Sequence, residues 1–229
     1  MSHPRCGYVY ELAVPGARAT HAVVLTEDLW NAQLRDSIVV PIYNQPGANQ
    51  SSLLVQIDGD LFANCTRVQS MDHEFIEQEV GACSHEPWLR TRIGVRRFLD
   101  IDRRIAKLPP VQPSAPRTGW FPRQNHVRFA VNPSIPAKDK LYGIISDDDW
   151  NALPSAPNVA AVRLTSKPKP TRLRWEVPVS GGFVVVGDIY SLAMSDIERK
   201  PPPAKYPARL TNDESAAIAV KQKASLLLS

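Results

Sequence analysis

The sequence is poor in cysteine and contains no long apolar run. Its three cysteines, Cys6, Cys65 and Cys83, include no Cys-x-x-Cys pair, so they predict neither a disulfide framework nor a zinc site. No apolar stretch reaches the roughly 18 residues that a membrane-spanning helix needs, and residues 1–10 lack the apolar core of a signal peptide. We therefore expect a cytoplasmic protein with reduced thiols and no membrane segment.

The sequence also lacks the usual signatures of a cofactor or metal site. It contains no glycine-rich phosphate loop, no Ser-His-Asp arrangement and no paired catalytic carboxylates. His73, Cys83 and His85 have neither a fourth ligand nor the paired spacing of a zinc site, so we expect no metal and no cofactor. The formal net charge of +4 favours a phosphate-bearing partner only weakly.

Proline, in contrast, is abundant. The 21 prolines exceed the average share of roughly 5%, which favours many loops and short helices. Residues 108–116 (LPPVQPSAP) cannot continue a helix and predict an extended, semi-rigid spacer. We expect two domains, residues 1–107 and residues 123–229, joined by a proline-rich linker of residues 108–122.

The two domains are predicted to be copies of one module. Residues 21–32 (HAVVLTEDLWNA) align without a gap with residues 141–152 (LYGIISDDDWNA). Both segments begin as an apolar strand and continue through a hydroxyl residue and acids into a short amphipathic turn. The identical positions are Asp28 and Asp148, Trp30 and Trp150, Asn31 and Asn151, and Ala32 and Ala152. The sequence therefore predicts a tandem duplication.

A helix is predicted to close each copy, at residues 87–101 and at residues 213–228. Thr211 and Glu214 stand at the spacing of a capping box ahead of the second of these helices. Together with several short strands in each copy, the helices predict an α+β fold that is mainly β.

Helix capping is also predicted at the short helix that follows the aligned strand in each copy. Thr26 and Ser146 precede acidic residues there, and we expect their hydroxyls to accept hydrogen bonds from the first free backbone N–H groups.

Short motifs recur at the predicted strands. They are residues 6–10 (CGYVY), 22–28 (AVVLTED), 36–44 (DSIVVPIYN), 67–72 (RVQSMD), 159–166 (VAAVRLTS) and 167–179 (KPKPTRLRWEVPV). Together these motifs resemble those of the PemK/MazF family of growth-inhibitor toxins. The resemblance implies that each copy is a small SH3-like barrel with a C-terminal helix. Because members of that family usually act as homodimers, two copies in one chain imply an intrachain pseudo-dimer.

The resemblance also implies ribonuclease chemistry without a metal. In the family an arginine at the start of the second strand and a threonine or serine at the end of the third act on the scissile phosphate. These positions fall on Thr20 and Tyr43 in the first copy, which we therefore expect to be catalytically silent. In the second copy they fall on Lys140 and Thr165, the candidate catalytic residues. The alternative is that Lys140 is an ordinary surface lysine and Thr165 a strand-end hydroxyl.

Basic and aromatic residues follow the third strand of the second copy. Such a combination is typical of a groove for single-stranded nucleic acid, with cations on phosphates and an aromatic ring stacked on a base. The alternative is a hairpin whose charges and prolines protect a sheet edge from aggregation. The candidate RNA-binding residues are Lys167, Lys169, Arg172, Arg174 and Trp175.

The resemblance implies a toxin-antitoxin growth inhibitor that acts on single-stranded RNA, with a small acidic antitoxin as a partner. If it is an enzyme, it is a metal-independent endoribonuclease. The alternative is a catalytically dead pseudo-dimer, similar to PemK and CcdB toxins, that binds a protein such as a gyrase-like target or acts as a nucleic-acid-binding regulator. The loss of the arginine and threonine positions from the first copy favours this alternative.

Overall fold

The structure is a computed structural model that describes residues 3–44, 53–113, 119–132, 135–168 and 175–226. It consists of antiparallel strands and short helices, so the predicted α+β, mainly β class is confirmed. The chain divides into two compact units, residues 1–96 with residues 223–229, and residues 97–222. The predicted boundaries at the linker stay a prediction, and residues 114–118 of that linker lie outside the described residues.

The first unit is built around one antiparallel sheet. Its strands are β1 (Tyr8–Leu12), β2 (His21–Val24), β3 (Asp36–Asn44), β4 (Leu54–Asp58), β5 (Leu61–Asn64), β6 (Gln69–Asp72) and β7 (Ile76–Ala82). Their order in the sheet is β4-β5-β3-β2-β1-β7, and β6 also pairs with β3. The short helix α1 (Asp28–Gln33) connects β2 with β3, and α2 (His85–Phe98) follows β7.

The second unit contains a sheet of similar order. After helix α3 (Ile101–Ile105), its strands are β8 (Val127–Asn132), β9 (Ile135–Ile144), β10 (Asn158–Thr165), β11 (Glu176–Val179) and β12 (Gly182–Ala193). The order in the sheet is β11-β12-β10-β9-β8. The short helix α4 (Asp148–Asn151) connects β9 with β10, and α5 (Asn212–Ser225) ends the described chain. Within the described residues both sheets are open, and closure of either into an SH3-like barrel stays a prediction.

The central strand is paired differently in the two sheets. In the first unit β3 pairs with β5 and then with β6, and a 3₁₀ turn (Cys65–Arg67) separates these two partners. In the second unit β10 pairs with β9 along one edge and with β12 along the other, and the register with β12 shifts between Val162 and Leu164. Residues 185–188 of β12 form the bulge that this shift creates.

Successive residues of a strand point to opposite faces of the sheet, so the nearly continuous burial of β3 and β10 shows that these central strands are covered on both faces. The core of the first unit includes Tyr10, Ala22, Val24, Val39, Met71 and Ile76. The core of the second unit includes Ala130, Tyr142, Ile144, Val159, Ala161, Leu192 and Ile197.

The helix predicted at residues 87–101 is interrupted. Asp100 adopts the left-handed conformation with φ of 49° and separates α2 from α3. In contrast, the capping box of α5 is confirmed, because Glu214 N–H donates to Thr211 Oγ1 at 3.2 Å and Thr211 N–H donates to a Glu214 carboxylate oxygen at 2.7 Å.

The capping role predicted for Thr26 and Ser146 is wrong. The Thr26 hydroxyl donates to Asn31 Oδ1 and accepts from the backbone N–H of Ile38 on β3. The Ser146 hydroxyl makes the same pair of bonds, to Asn151 Oδ1 and from Ala160 N–H on β10. Each hydroxyl is buried and links its helix to the next strand, since the strand N–H competes successfully with the helix N–H groups.

Candidate functional site

The two candidate catalytic residues lie on neighbouring strands of the second sheet, Lys140 on β9 and Thr165 on β10. Strands β9 and β10 pair at Gly143 with Val162 and at Tyr142 with Arg163. Lys140 and Thr165 each lie two positions beyond the second of these pairs, where Lys140 pairs with Ala130 on β8 and Thr165 pairs with Phe183 on β12. Alternate residues of a strand share a face, so Lys140 and Tyr142 lie on the face of β9 that corresponds to Arg163 and Thr165 on β10.

The end of β10 is fixed by its surroundings. Thr165 is half-buried, pairs with Phe183 on β12, and donates its hydroxyl hydrogen to the carbonyl oxygen of Lys167 at 3.0 Å. Gly182 approaches so closely that a Cβ atom there would lie 2.2 Å from the Thr165 carbonyl oxygen. Lys140 is also half-buried, on the strand that pairs with β8 at Ala130.

The first sheet presents the corresponding positions without the family's residues. His21 pairs with Ile42, and Thr20 and Tyr43 are the residues next to this pair along the chain. Thr20 is exposed, and its hydroxyl shares a hydrogen bond of 2.9 Å with His21 Nδ1. Burial raises the pKa of Tyr43, and the positive charge of Arg67 acts in the opposite direction. Neither Thr20 nor Tyr43 is itself a cation, and the positive charge that acts on Tyr43 comes from Arg67.

The candidate RNA-binding residues are only partly described. Lys167 is exposed, whereas Trp175 is buried with 3% of its surface exposed. An indole in that position stacks on a base only if it leaves its packing site. Lys169, Arg172 and Arg174 lie outside the described residues, so the role of this segment stays a prediction.

Tyr142 and Arg163, which were not among the predicted site residues, lie on the same faces of β9 and β10 as Lys140 and Thr165. Tyr142 is fully buried, and neither its hydroxyl nor the buried Nε of Arg163 has a hydrogen-bond partner among the described residues. An unpaired buried polar group costs about 1–3 kcal/mol, so its presence asks for an explanation. The Tyr142 ring meets that of Tyr190 edge to face, with centroids 5.3 Å apart, which fixes the direction of its hydroxyl.

Charges of both signs act on this hydroxyl. Burial is the main reason that the pKa of Tyr142 is raised, Arg163 lowers it, and Asp188 raises it further. Asp188 belongs to the bulge of β12 and is 3% exposed. Tyr142 therefore remains a neutral hydrogen-bond donor at physiological pH, beside a guanidinium and a carboxylate.

A sequence signal for Arg163 existed. Residues 159–165 (VAAVRLT) are apolar except for Arg163 and the terminal Thr165, and a charged residue inside a buried strand is rarely placed there for packing alone. For Tyr142 no such signal existed, because a tyrosine is an ordinary residue of a strand. Its lack of a partner among the described residues appears only in the folded chain.

Other classes of site are absent from the part of the chain that the structure describes. No group of three or more His, Cys, Asp or Glu side chains lies close enough there to hold a metal ion. No helix in that part is long and apolar enough to cross a membrane.

No family model matches this chain, and no curated protein matches it either. Among solved structures it is similar to MazE-MazF (Form-III) from Deinococcus radiodurans, with 19% identity and a TM-score of 0.39, over 48% of this chain and 100% of that chain. It is similar to an endoribonuclease in complex with its cognate antitoxin from a mycobacterial species, with 20% identity and a TM-score of 0.38, over 47% of this chain and 97% of that chain. The Mycobacterium tuberculosis toxin MazF-mt6 matches with 12% identity and a TM-score of 0.33, over 39% of this chain and 92% of that chain.

Proposed function

We propose that this protein is a PemK/MazF-like growth inhibitor that cuts single-stranded RNA through its second copy, without a metal. The observation that supports the proposal most directly is the pairing of β9 with β10, since Lys140 and Thr165 each lie two positions beyond the pair of Tyr142 and Arg163. These are the positions that the motif resemblance assigns to the cation and the hydroxyl. In the first sheet the positions expected to be silent, Thr20 and Tyr43, lie next to the pair of His21 and Ile42.

The proposed reaction is an internal transfer of the phosphoryl group. The 2′-oxygen of the RNA forms a bond to the adjacent phosphorus, and the bond from phosphorus to the 5′-oxygen of the next nucleotide breaks. The 2′-hydroxyl loses its proton and the departing 5′-oxygen gains one, so the products are a 2′,3′-cyclic phosphate end and a 5′-hydroxyl end. Lys140 stabilises the negative charge that builds on the phosphate, and Thr165 positions it.

A duplicated, pseudo-dimeric architecture is part of the proposal, and matched hydrogen bonds support it. The indole N–H of Trp30 donates to the Asp36 carbonyl at 2.9 Å, and that of Trp150 donates to the Asn158 carbonyl at 2.8 Å. These tryptophans occupy identical positions of the aligned segments, and both bonds join the short helix to the start of the following strand.

The ends of the helices that close the copies are matched as well. Within the first unit Glu27 N–H donates to the Ser225 carbonyl at 3.0 Å, and within the second unit Asp147 N–H donates to the Phe98 carbonyl at 3.0 Å. Each unit thus includes the end of the helix that the other sequence copy supplies, which is the arrangement expected of an intrachain pseudo-dimer. We propose further that the protein acts in the cytoplasm and is inhibited by a small acidic antitoxin.

A second candidate function is the catalytically inactive pseudo-dimer that binds a protein or serves as a nucleic-acid-binding regulator. One observation favours it, since the Thr165 hydroxyl hydrogen is already donated to the Lys167 carbonyl. Lysine also lacks the planar guanidinium group with which arginine donates two parallel hydrogen bonds to a phosphate.

The test is incubation of the purified protein with mixed single-stranded RNA, with analysis of the cut ends. We expect 2′,3′-cyclic phosphate ends, and loss of cleavage by on the order of a hundredfold or more in Lys140→Ala and Thr165→Ala. Thr20→Ala is the matched control and keeps the wild-type rate, whereas Lys140→Arg raises it. Growth inhibition by the expressed protein, without cleavage by the wild type or Lys140→Arg, excludes the ribonuclease and leaves the second candidate.

A further inference from the structure

Tyr142 and Arg163 bring two buried hydrogen-bond donors side by side on neighbouring strands. They pair directly in the register of β9 and β10, and among the described residues neither the Tyr142 hydroxyl nor Arg163 Nε has a partner. Arg163, Thr165 and Lys140 each keep part of their surface exposed, whereas Tyr142 lies fully buried beside them. These four residues are called the block below, and three of them are partly accessible to solvent.

Among the side chains that the structure describes, the charges of the block are not balanced. Lys140 and Arg163 contribute two positive charges, and Asp188 contributes one negative charge close enough to act on the Tyr142 hydroxyl. A buried or half-buried positive charge without a counter-ion is costly, so the remaining charge favours an anionic ligand. A monoanion that accepts several hydrogen bonds satisfies both the charge and the free donors.

We propose that Arg163 and Tyr142 bind the non-bridging oxygens of the RNA phosphodiester, and that Arg163 supplies the guanidinium that the Lys140 position lacks. This inference rests on the proposed function, because Lys140 and Thr165 are the reacting pair of the same block. A phosphodiester carries one negative charge and two non-bridging oxygens that act only as acceptors. The planar guanidinium and the phenolic hydroxyl are both suited to such oxygens.

The competing explanation is a purely internal role, in which Arg163 only neutralises the buried carboxylate of Asp188. That role accounts for one cation but leaves the Tyr142 hydroxyl without a partner among the described residues. It also predicts that substitution of Arg163 changes stability and leaves the binding of nucleic acid unchanged. A binding experiment therefore distinguishes the two explanations.

The test measures how a short single strand of mixed-sequence 2′-O-methyl RNA, which cannot form the cyclic phosphate, binds to the full-length protein at several salt concentrations. We expect Arg163→Gln to weaken binding on the order of tenfold. The decrease of log affinity with log salt should also become less steep, by about 0.7, which is the value for one phosphate contact. Tyr142→Phe weakens binding without changing the slope. Arg163→Lys keeps the slope but weakens binding, because it retains the charge without the planar guanidinium group.

Arg199→Gln removes an exposed arginine of the same unit and should change neither affinity nor slope. Thermal unfolding of each variant shows whether the fold is retained, and Arg163→Lys serves if Arg163→Gln unfolds. Wild-type affinity and slope in Arg163→Gln and Tyr142→Phe overturn the inference, as does the absence of any strand binding by the wild type.

Cleavage assays with ordinary RNA separate this inference from the proposed function. If the wild type binds the strand through Arg163 and Tyr142 but cuts no RNA, the ribonuclease is excluded and the phosphate site stands. If the wild type cuts RNA and both variants bind and cut equally well, the phosphate site is excluded and the ribonuclease stands.

Discussion

The backbone N–H of Glu27 donates a hydrogen bond of 3.0 Å to the carbonyl oxygen of Ser225, almost two hundred positions along the chain. The first unit thus depends on residues at the far end of the sequence. Beside Ser225, Leu226 is fully buried in the same unit. The C-terminal residues are therefore part of the fold of the first unit.

Truncation of the Leu226 side chain should destabilise the protein. Because Leu226 has 0% of its surface exposed, Leu226→Ala removes buried methyl groups and leaves a cavity, at a cost of about 2–4 kcal/mol. The measurement is the free energy of unfolding in urea. Val220→Ala is the control on the preceding helix α5, since Val220 is 52% exposed and its loss should change stability by about 0.5 kcal/mol or less. Equal effects of the two substitutions contradict the burial of Leu226.

The buried carboxyl of Asp148 should make stability depend on pH. Burial is the main reason that its pKa is raised from 3.8 to about 6. The folded state then binds a proton more tightly than the unfolded state, so this group stabilises the fold as pH falls through about 6. At neutral pH the ionised carboxylate destabilises the fold, and Asp148→Asn should raise the free energy of unfolding by about 1–3 kcal/mol. The gain should disappear below about pH 4.

The measurement is the free energy of unfolding of the wild type and of Asp148→Asn at a series of pH values. Titrating groups that both proteins contain contribute equally to the two values and cancel in the difference. One such group is His126, whose pKa is lowered to about 4 by burial and nearby arginines, so that it acts in the opposite sense. Asp28→Asn is the matched control. Asp28 accepts a bond from Cys6 N–H as Asp148 does from Gln124 N–H, but it is exposed to water. A gain of the same size at Asp28 contradicts the assignment to burial.

Gly182 should be intolerant of a side chain because of its contact with Thr165. A Cβ atom there would lie 2.2 Å from the Thr165 carbonyl oxygen, so Gly182→Ala must displace the end of β10. We expect a loss of about 1–3 kcal/mol. Gly81→Ala is a close control, since Gly81 has φ of 155° against 158° for Gly182, but a Cβ atom added at Gly81 would meet no heavy atom within 4 Å among the described residues. If both substitutions lower the melting temperature equally, the contact with Thr165 is not the cause.

Removal of the Tyr142 hydroxyl should stabilise the protein in the absence of ligand. The hydroxyl is buried without a partner among the described residues, so Tyr142→Phe relieves a desolvation cost of about 1 kcal/mol and keeps the ring. Tyr206→Phe, at a half-buried ring that meets Phe129 edge to face, is the control and should have little effect. A lower melting temperature for Tyr142→Phe would show that the hydroxyl has a stabilising partner.

Features that depend on neighbours in sequence were predictable. The capping box of Thr211 and Glu214 is confirmed because both bonds form within one helical turn, whatever the rest of the chain does. The α+β class followed in the same way from short apolar strands separated by turn residues and prolines.

Features that depend on distant partners were not predictable. The sequence around Thr26 and Ser146 has the pattern of a helix cap. In the structure, however, their hydroxyls accept hydrogen bonds from the backbone N–H groups of Ile38 and Ala160 on the following strands. At Asp100 the left-handed backbone interrupts a pattern that predicts a continuous helix.

The sequence alone therefore determined the fold class and the capping of the last helix, because each depends on local periodicity or spacing, whereas the catalytic roles of Lys140 and Thr165 stay a prediction. The tertiary structure alone decided that Trp175 is buried and that Tyr142 stands unpaired among the described residues beside Arg163. The physical reason is that burial and hydrogen-bond satisfaction belong to groups from several strands at once. A side chain's own sequence neighbours do not determine which of those groups it meets.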